Sequence, residues 1–177
     1  DKNAIQQDDQ SQRTRLRICT AQRGNNYYRA GEKIQSLLKK QIDVKLIETK
    51  GSWENLAAID RERRACDAII AQDDAYALHE FERPSSFLTM KRIGTLFPEH
   101  VHLICPRNLK VSSLQEAVSS NVDIIVNQYG SGSYITWKLF SRLNRLYRKA
   151  NLIEMAPEEA LLRIIEKRRP ACMFYVS

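Results

Sequence analysis

Residues 123–140, DIIVNQYGSGSYITWKLF, decide how the chain reads. Asp123–Asn127 is a short run rich in β-branched residues, Gln128-Tyr129-Gly130-Ser131-Gly132-Ser133 is a polar glycine-serine turn, and helical spacing of apolar residues follows. A strand that passes through such a turn into a helix is one unit of an α/β protein. Similar units lie on both sides. Strands are predicted at Arg15–Ala21, Val44–Thr49, Ala68–Ala71, His102–Cys105, Leu152–Met155 and Cys172–Val176. Helices are predicted at Tyr28–Lys40, Ser52–Arg63, Ser113–Ser119, Ser133–Tyr147 and Pro157–Lys167, the last opening on Pro-Glu-Glu.

This alternation predicts an α/β fold with mostly parallel sheets and helices on both faces. Sheets of that kind bind ligands in the crevice beyond the carboxyl ends of their strands, so the residues after each strand matter most. Around Phe97–Pro106 the pattern pauses at two prolines and a second series begins. The expected division is a polar tail or linker at residues 1–14, a first α/β lobe at 15–100, and a second lobe at 101–177 that includes hinge strands.

Composition narrows the classes. The 177 residues are 43% hydrophobic and 28% charged, as in a folded globular chain. No apolar run approaches the roughly 18–20 residues of a membrane span. Asp1–Thr14 has no apolar cluster, which excludes a signal peptide there. The net charge of +7 favours acidic partners: an anionic metabolite, nucleic acid or a phospholipid surface. The four cysteines, Cys19, Cys66, Cys105 and Cys172, are far apart in apolar stretches and read as buried thiols on strands, leaving the redox compartment open.

Four turns stand at predicted strand ends. Gln22-Arg23-Gly24-Asn25-Asn26-Tyr27-Tyr28 can turn tightly and point N–H groups inward. In Thr49-Lys50-Gly51-Ser52-Trp53-Glu54-Asn55, Ser52 with Asn55 behind it is placed as an N-cap. Gln72-Asp73-Asp74 puts polar groups where a helix starts, and the turn at 128–133 does the same. One such turn is ordinary capping. Four of them gather helix N-termini at one sheet edge, an anion-binding arrangement. None matches GxxxxGK[ST] or GxGxxG, so nothing points to a nucleotide.

YGSGSYITWKLF, TKGSWENLAAID, RGNNYYRAGEKI and CDAIIAQDDAYAL resemble the TAXI group of TRAP transporter solute receptors, and the order of elements agrees from about Leu16 to Ser177. The resemblance rests on Asn26-Tyr27-Tyr28, Thr49 to Asn55, Gln72-Asp73-Asp74, Ser131-Gly132-Ser133 and the crossing GTLFPEHVHL from Gly94. It implies a two-lobed type II periplasmic-binding-protein fold that closes on its ligand, lacking its C-terminal part. It also implies an extracytoplasmic solute receptor that captures a small organic anion, an amino acid or a carboxylate, for delivery to TRAP permease subunits. The ligand would touch Asn26, Tyr27, Ser52, Asn55 and Gln72 from one lobe, and Ser131 and Ser133 from the other. Tyr27, Tyr28 and Trp53 would supply apolar walls, and Trp137 belongs to the core. Asn25, Asn26 and Lys50 depart from the family's usual residues, and Lys50 either pairs with an acidic ligand or faces solvent. In that family more chain follows the strand at Phe174–Ser177. The expectation is therefore either a fragment or a short relative whose lobe a second copy completes as a homodimer.

Other classes find less support. His100 and His102 share a strand face, but with no carboxylate or cysteine ligand nearby they read as structural. Asp73 and Asp74 point apart at a helix start and make a poor acid/base pair. No catalytic motif appears, so the chain is read as a binding protein without cofactor or metal, not an enzyme. Arg142, Arg145 and Lys149 form a basic stripe at helical spacing, joined by Arg61, Arg63, Arg64 and Lys167-Arg168-Arg169; solvated faces of this kind are common, which argues against nucleic acid. The alternative class is a ligand-binding sensor domain of a membrane-anchored signalling protein.

Overall fold

The structure is a computed structural model that describes residues 13–59, 65–83, 90–166 and 169–177. Its first half runs β1 (Thr14–Cys19), α1 (Asn26–Leu38), β2 (Ile42–Ile47), α2 (Ser52–Ile59), β3 (Ala68–Ile69) and α3 (Asp73–Glu82). The second runs β4 (Val101–Ile104), α4 (Leu114–Ser119), β5 (Asp123–Val126), α5 (Gly132–Leu143), β6 (Asn151–Glu154), α6 (Pro157–Glu166) and β7 (Ala171–Val176). The strands form two sheets, ordered β2-β1-β3 and β4-β7-β5-β6. Every pairing is parallel except β4 with β7, where His102 lies opposite Tyr175. Helical crossovers between neighbouring strands impose the parallel arrangement.

The sheet centre explains why residues 123–126 carry no polar alternation. All four are buried. Ile124 and Val126 face Trp137, Ala117 and Phe174 on one side, while Ile125 faces Ala160, Ile164 and Met173 on the other. A strand covered on both faces by helices has no solvent side to mark with polar residues. Trp137 is core, 4% exposed and edge-on to Phe174. In the first sheet, Ile18 and Val44 pack with Tyr27, and Cys19 packs on the opposite face with Ala58.

A separate cluster of Leu56, Ala75, Leu78 and Ile135 brings α2, α3 and α5 together, and so joins the two sheets. Polar contacts surround it. The Asp74 carboxylate accepts from the Thr136 hydroxyl, and Glu82 pairs with Arg142 at 2.7 Å and Lys138 at 3.4 Å. Part-exposed pairs like these contribute about 0–1 kcal/mol each, so apolar packing carries the junction.

Two expectations are corrected. The cysteines are not thiols: Cys19 is bonded to Cys66 and Cys105 to Cys172, with Cα separations of 5.7 and 4.4 Å. Separations of 47 and 67 residues hid from the sequence that these positions adjoin across neighbouring elements. The basic stripe is also not one helix. Asn144 takes an extended backbone and its Oδ1 accepts from the N–H of Leu146, so α5 ends at Leu143; Arg145 lies past the helix, and Lys149 lies in a 3-10 turn at Tyr147–Lys149. Arg61, Arg63, Arg64, Lys167, Arg168, the end of the helix expected at Ser52–Arg63 and nearly all of the 1–14 tail lie outside the described residues.

Candidate functional site

The turn between β2 and α2 is built first. Gly51 has φ +119°, a left-handed conformation that strains any L side chain. Its N–H donates to the Thr49 hydroxyl, and the Lys50 N–H donates to Glu54, whose carboxylate sits in the first turn of α2. The Lys50 side chain is exposed. Asn55 fastens this turn from within. Its amide donates to the carbonyls of Thr20 at 2.5 Å and Ile70 at 2.8 Å, and its carbonyl accepts from the Thr49 hydroxyl at 2.6 Å. One buried side chain thus ties the ends of β1, β2 and β3 together.

Ser52 is the first helical residue of α2, not the expected cap. Freed from capping, its hydroxyl accepts from the N–H of Gln72 at 3.0 Å and lies 3.1 Å from the Tyr27 phenol. Gln72 is itself the cap position of α3. The Tyr27 phenol donates to Glu99 at 3.1 Å. A hydroxyl carries one proton, so the Ser52 hydroxyl donates to Tyr27 while Tyr27 donates to Glu99. The starts of α2 and α3 therefore touch, and Tyr27 reaches them from the start of α1.

The second sheet supplies the facing wall. Ser131 caps α5 by accepting from the N–H of Tyr134, and Ser133 is buried with its hydroxyl accepting from the N–H of Val176 at 3.0 Å. Between them, Gly132 lies so close to the Gln72 amide that a Cβ there would collide with it. A side chain at this position would have to push the end of the flexible Gln72 side chain aside. Of the seven residues singled out, Tyr27, Ser52, Asn55, Gln72 and Ser133 are buried together near these helix starts, Ser131 is half-buried, and Asn26 is exposed. Asn25, next to it, caps α1.

The expected aromatic walls divide. Tyr27 points inward, but Tyr28, one helical step on, lies beneath the Arg23 guanidinium and lines an outer recess of about 440 Å³ with Glu32 and Asp43. Trp53 stands edge-on to His79 within the α2–α3–α5 junction. The histidine pair is likewise set apart: His102 contacts the Ser177 hydroxyl at 3.0 Å.

Sequence reading missed Glu99 and the Asp74–Thr136 contact. The visible signal for Glu99 was a carboxylate in the interrupted stretch Phe97-Pro98-Glu99. Burial disfavours its charged form and raises its pKa; the Tyr27 hydrogen bond opposes this, and the nearby Asp74 charge adds to it. Burial raises the Tyr27 pKa strongly as well. The sign for stability follows. With a raised folded-state pKa, the folded chain binds more protons than the unfolded chain, so the contribution of Glu99 is lost as pH rises through that value. Glu99→Gln is expected to melt higher than the wild type near neutral pH, with the gap closing below the ordinary glutamate range. Melting temperatures from about pH 4 to about pH 7 check this, and a gap independent of pH contradicts it.

No protein-family profile matches the chain, and no curated protein sequence matches it. Solved structures do match. Lactococcal OpuAC, closed on glycine betaine, superposes with a TM-score of 0.64 at 10% identity, over 93% of this chain and 65% of OpuAC. The glycine betaine/L-proline-binding protein ProX from Borrelia burgdorferi gives 0.61 at 11% identity, over 93% of this chain and 63% of ProX. The AvGluR1 ligand-binding domain in complex with glutamate gives 0.56 at 11% identity, over 93% and 69%. The chain thus spans less than two thirds of the first two proteins' length. At these identities the agreement is one of architecture. Two mostly parallel α/β sheets, joined where their helix starts meet, give this chain the periplasmic-binding-protein fold.

Proposed function

We propose that this protein is an extracytoplasmic solute-binding protein that holds a small organic anion, an amino acid or a carboxylate, and delivers it to a TRAP-type permease. The observation that carries this reading is the meeting of the α2 and α3 starts around the Tyr27 and Ser52 hydroxyls, with the start of α5 against the Gln72 side chain. Helix starts offer unpaired N–H donors and a positive dipole end, which bind a carboxylate without a buried counter-charge. In this reading Tyr27, Ser52 and Gln72 meet the solute from one side and Ser131 from the other. Asn55 and Ser133 hold the walls from behind, and Asn26 stands at the rim. Two neighbours were solved with small solutes, glycine betaine and glutamate, which supports a small solute as the ligand. The two disulfides support an oxidising compartment. Among the described residues no helix is long and apolar enough to cross a membrane.

Calorimetric titration with amino acids and dicarboxylates tests the reading. Ser52→Ala and Ser131→Ala are each expected to weaken the best-bound solute about tenfold, the effect of losing one hydrogen bond to a charged group. Affinity unchanged in both variants, measured well below their melting temperatures, would remove these residues from the site.

A further inference from the structure

The candidate site already holds a carboxylate, and it belongs to the protein. We propose that Glu99 is a built-in occupant of the carboxylate position at this site, displaced when a solute carboxylate reaches the Tyr27 and Ser52 hydroxyls. The proposal rests on the solute-binding reading above and adds what the solute must compete with.

Three observations support it. The donor is set in advance: Tyr27 is 7% exposed, its oxygen is engaged by Ser52, and its proton is directed at Glu99. A buried hydroxyl left without an acceptor is costly, so an empty site is more stable with an internal one in place. Second, Glu99 is lightly held. Among the described residues no lysine or arginine pairs with it, and burial works against its charge. Exchange for a solute carboxylate keeps the Tyr27 bond while Glu99 returns to water. Asp74, the other carboxylate close by, is engaged by the Thr136 hydroxyl and the Ala75 N–H, so it does not compete for the phenol.

Third, the segment that carries Glu99 can move at low cost. Met90–His100 contains no helix or strand, and Ile93 and Leu96 are 94% and 54% exposed. Its ties among the described residues are Arg92 to Asp73, Met90 at the edge of the α2–α3–α5 cluster, Phe97 at the edge of the first-sheet core with its ring 6.0 Å from that of Tyr27, and a backbone pair between His100 and Ser177. Segments with little buried apolar contact open locally at a small fraction of the global unfolding free energy. The His100–Ser177 pair sets the pivot, since it fixes the chain one residue beyond Glu99.

Acetate, a carboxylate with one methyl group as its stem, tests the proposal by thermal melting in sodium acetate against sodium chloride at equal ionic strength. Glu99→Ala is expected to gain stability saturably with acetate, with a dissociation constant at least about tenfold below that of the wild type. Tyr27→Phe combined with Glu99→Ala is expected to lose that gain. Should Glu99→Ala fail to fold, Glu99→Ser vacates the same position and carries the same expectation. Acetate acting alike on wild type and Glu99→Ala, or undiminished without the phenol, overturns the proposal. If acetate fills Glu99→Ala but no amino acid or dicarboxylate binds either protein, the internal occupant stands and the solute-capture reading is the one that fails.

Discussion

Asp123→Ala is expected to lower the unfolding free energy by about 3 kcal/mol while leaving solute affinity unchanged. Asp123 is the first residue of β5 and 0% exposed. Its carboxylate accepts from Arg163 at 2.9 Å, pairs with Arg169 at 3.3 Å, and is also bonded to the Asn151 amide. The three partners come from α6, the turn before β7 and β6, so one anion fixes the register of the sheet at its lower end. Removing it strands the Arg163 guanidinium, whose Nε is buried without a hydrogen-bond partner and whose remaining charge then lacks a counter-ion. Breaking a buried pair costs about 3–5 kcal/mol in general, and the part-exposed arginines place this case at the low end. Urea unfolding should show a midpoint lower by roughly 1–3 M with an unchanged slope. Because β5 runs from Asp123 toward the turn at 128–133, the loss lies at the far end of the strand from the site. A variant that unfolds like the wild type would show that the arginines are satisfied by water.

The strands were legible because their residues leave few alternatives. The β-branched runs at Val44, Ile124 and Ile153 fall on β2, β5 and β6, with boundaries within a few residues of those expected. The turns were legible for a similar local reason, since Gly51 and the cap at Ser131 are written in neighbouring residues. What escaped depends on distance in the chain. Ser52 was expected to cap α2, but the hydroxyl is claimed by Gln72 and Tyr27, each 20 residues or more away. Asn144 was expected within a helix, yet its own side chain ended it, a competition that periodicity does not weigh. The helix at Asp73–Glu82 showed only its polar start: Ala75, Leu78 and His79 are buried by α2 and α5 rather than by their own periodicity. Glu99 escaped for the most general reason. A single charged residue between elements carries no pattern, and only the fold brings Tyr27 to it across 72 residues.

Loss of the Cys105–Cys172 disulfide has a still larger expected effect. The bridge closes 67 residues, the whole interval from β4 to β7, and the chain-entropy account gives about 4 kcal/mol for a loop of that length. For a chain of this size that is a fall in melting temperature of roughly 8–16 °C. Its position makes the cost more than one of loop closure. β4 and β7 pair antiparallel with Ile104 opposite Met173, and the bridge extends that ladder by one step. The same two strands carry the His100–Ser177 pair at their other end, just beyond Glu99. Cys105→Ser with Cys172→Ser should therefore loosen the pivot of the crossing segment as well as the sheet. The second bridge, Cys19–Cys66, closes 47 residues and ends one position before Thr20, whose carbonyl accepts from the Asn55 amide. Its removal is expected to cost a similar amount and also to weaken solute binding through that turn. Together the two losses approach the roughly 5–15 kcal/mol that stabilises an ordinary domain. The chain should thus hold its fold without reductant and lose it when both bridges are reduced. Thiol titration before and after reduction, alongside melting curves, decides the matter: reactive thiols in the native, unreduced protein would contradict both bridges and, with them, the oxidising compartment.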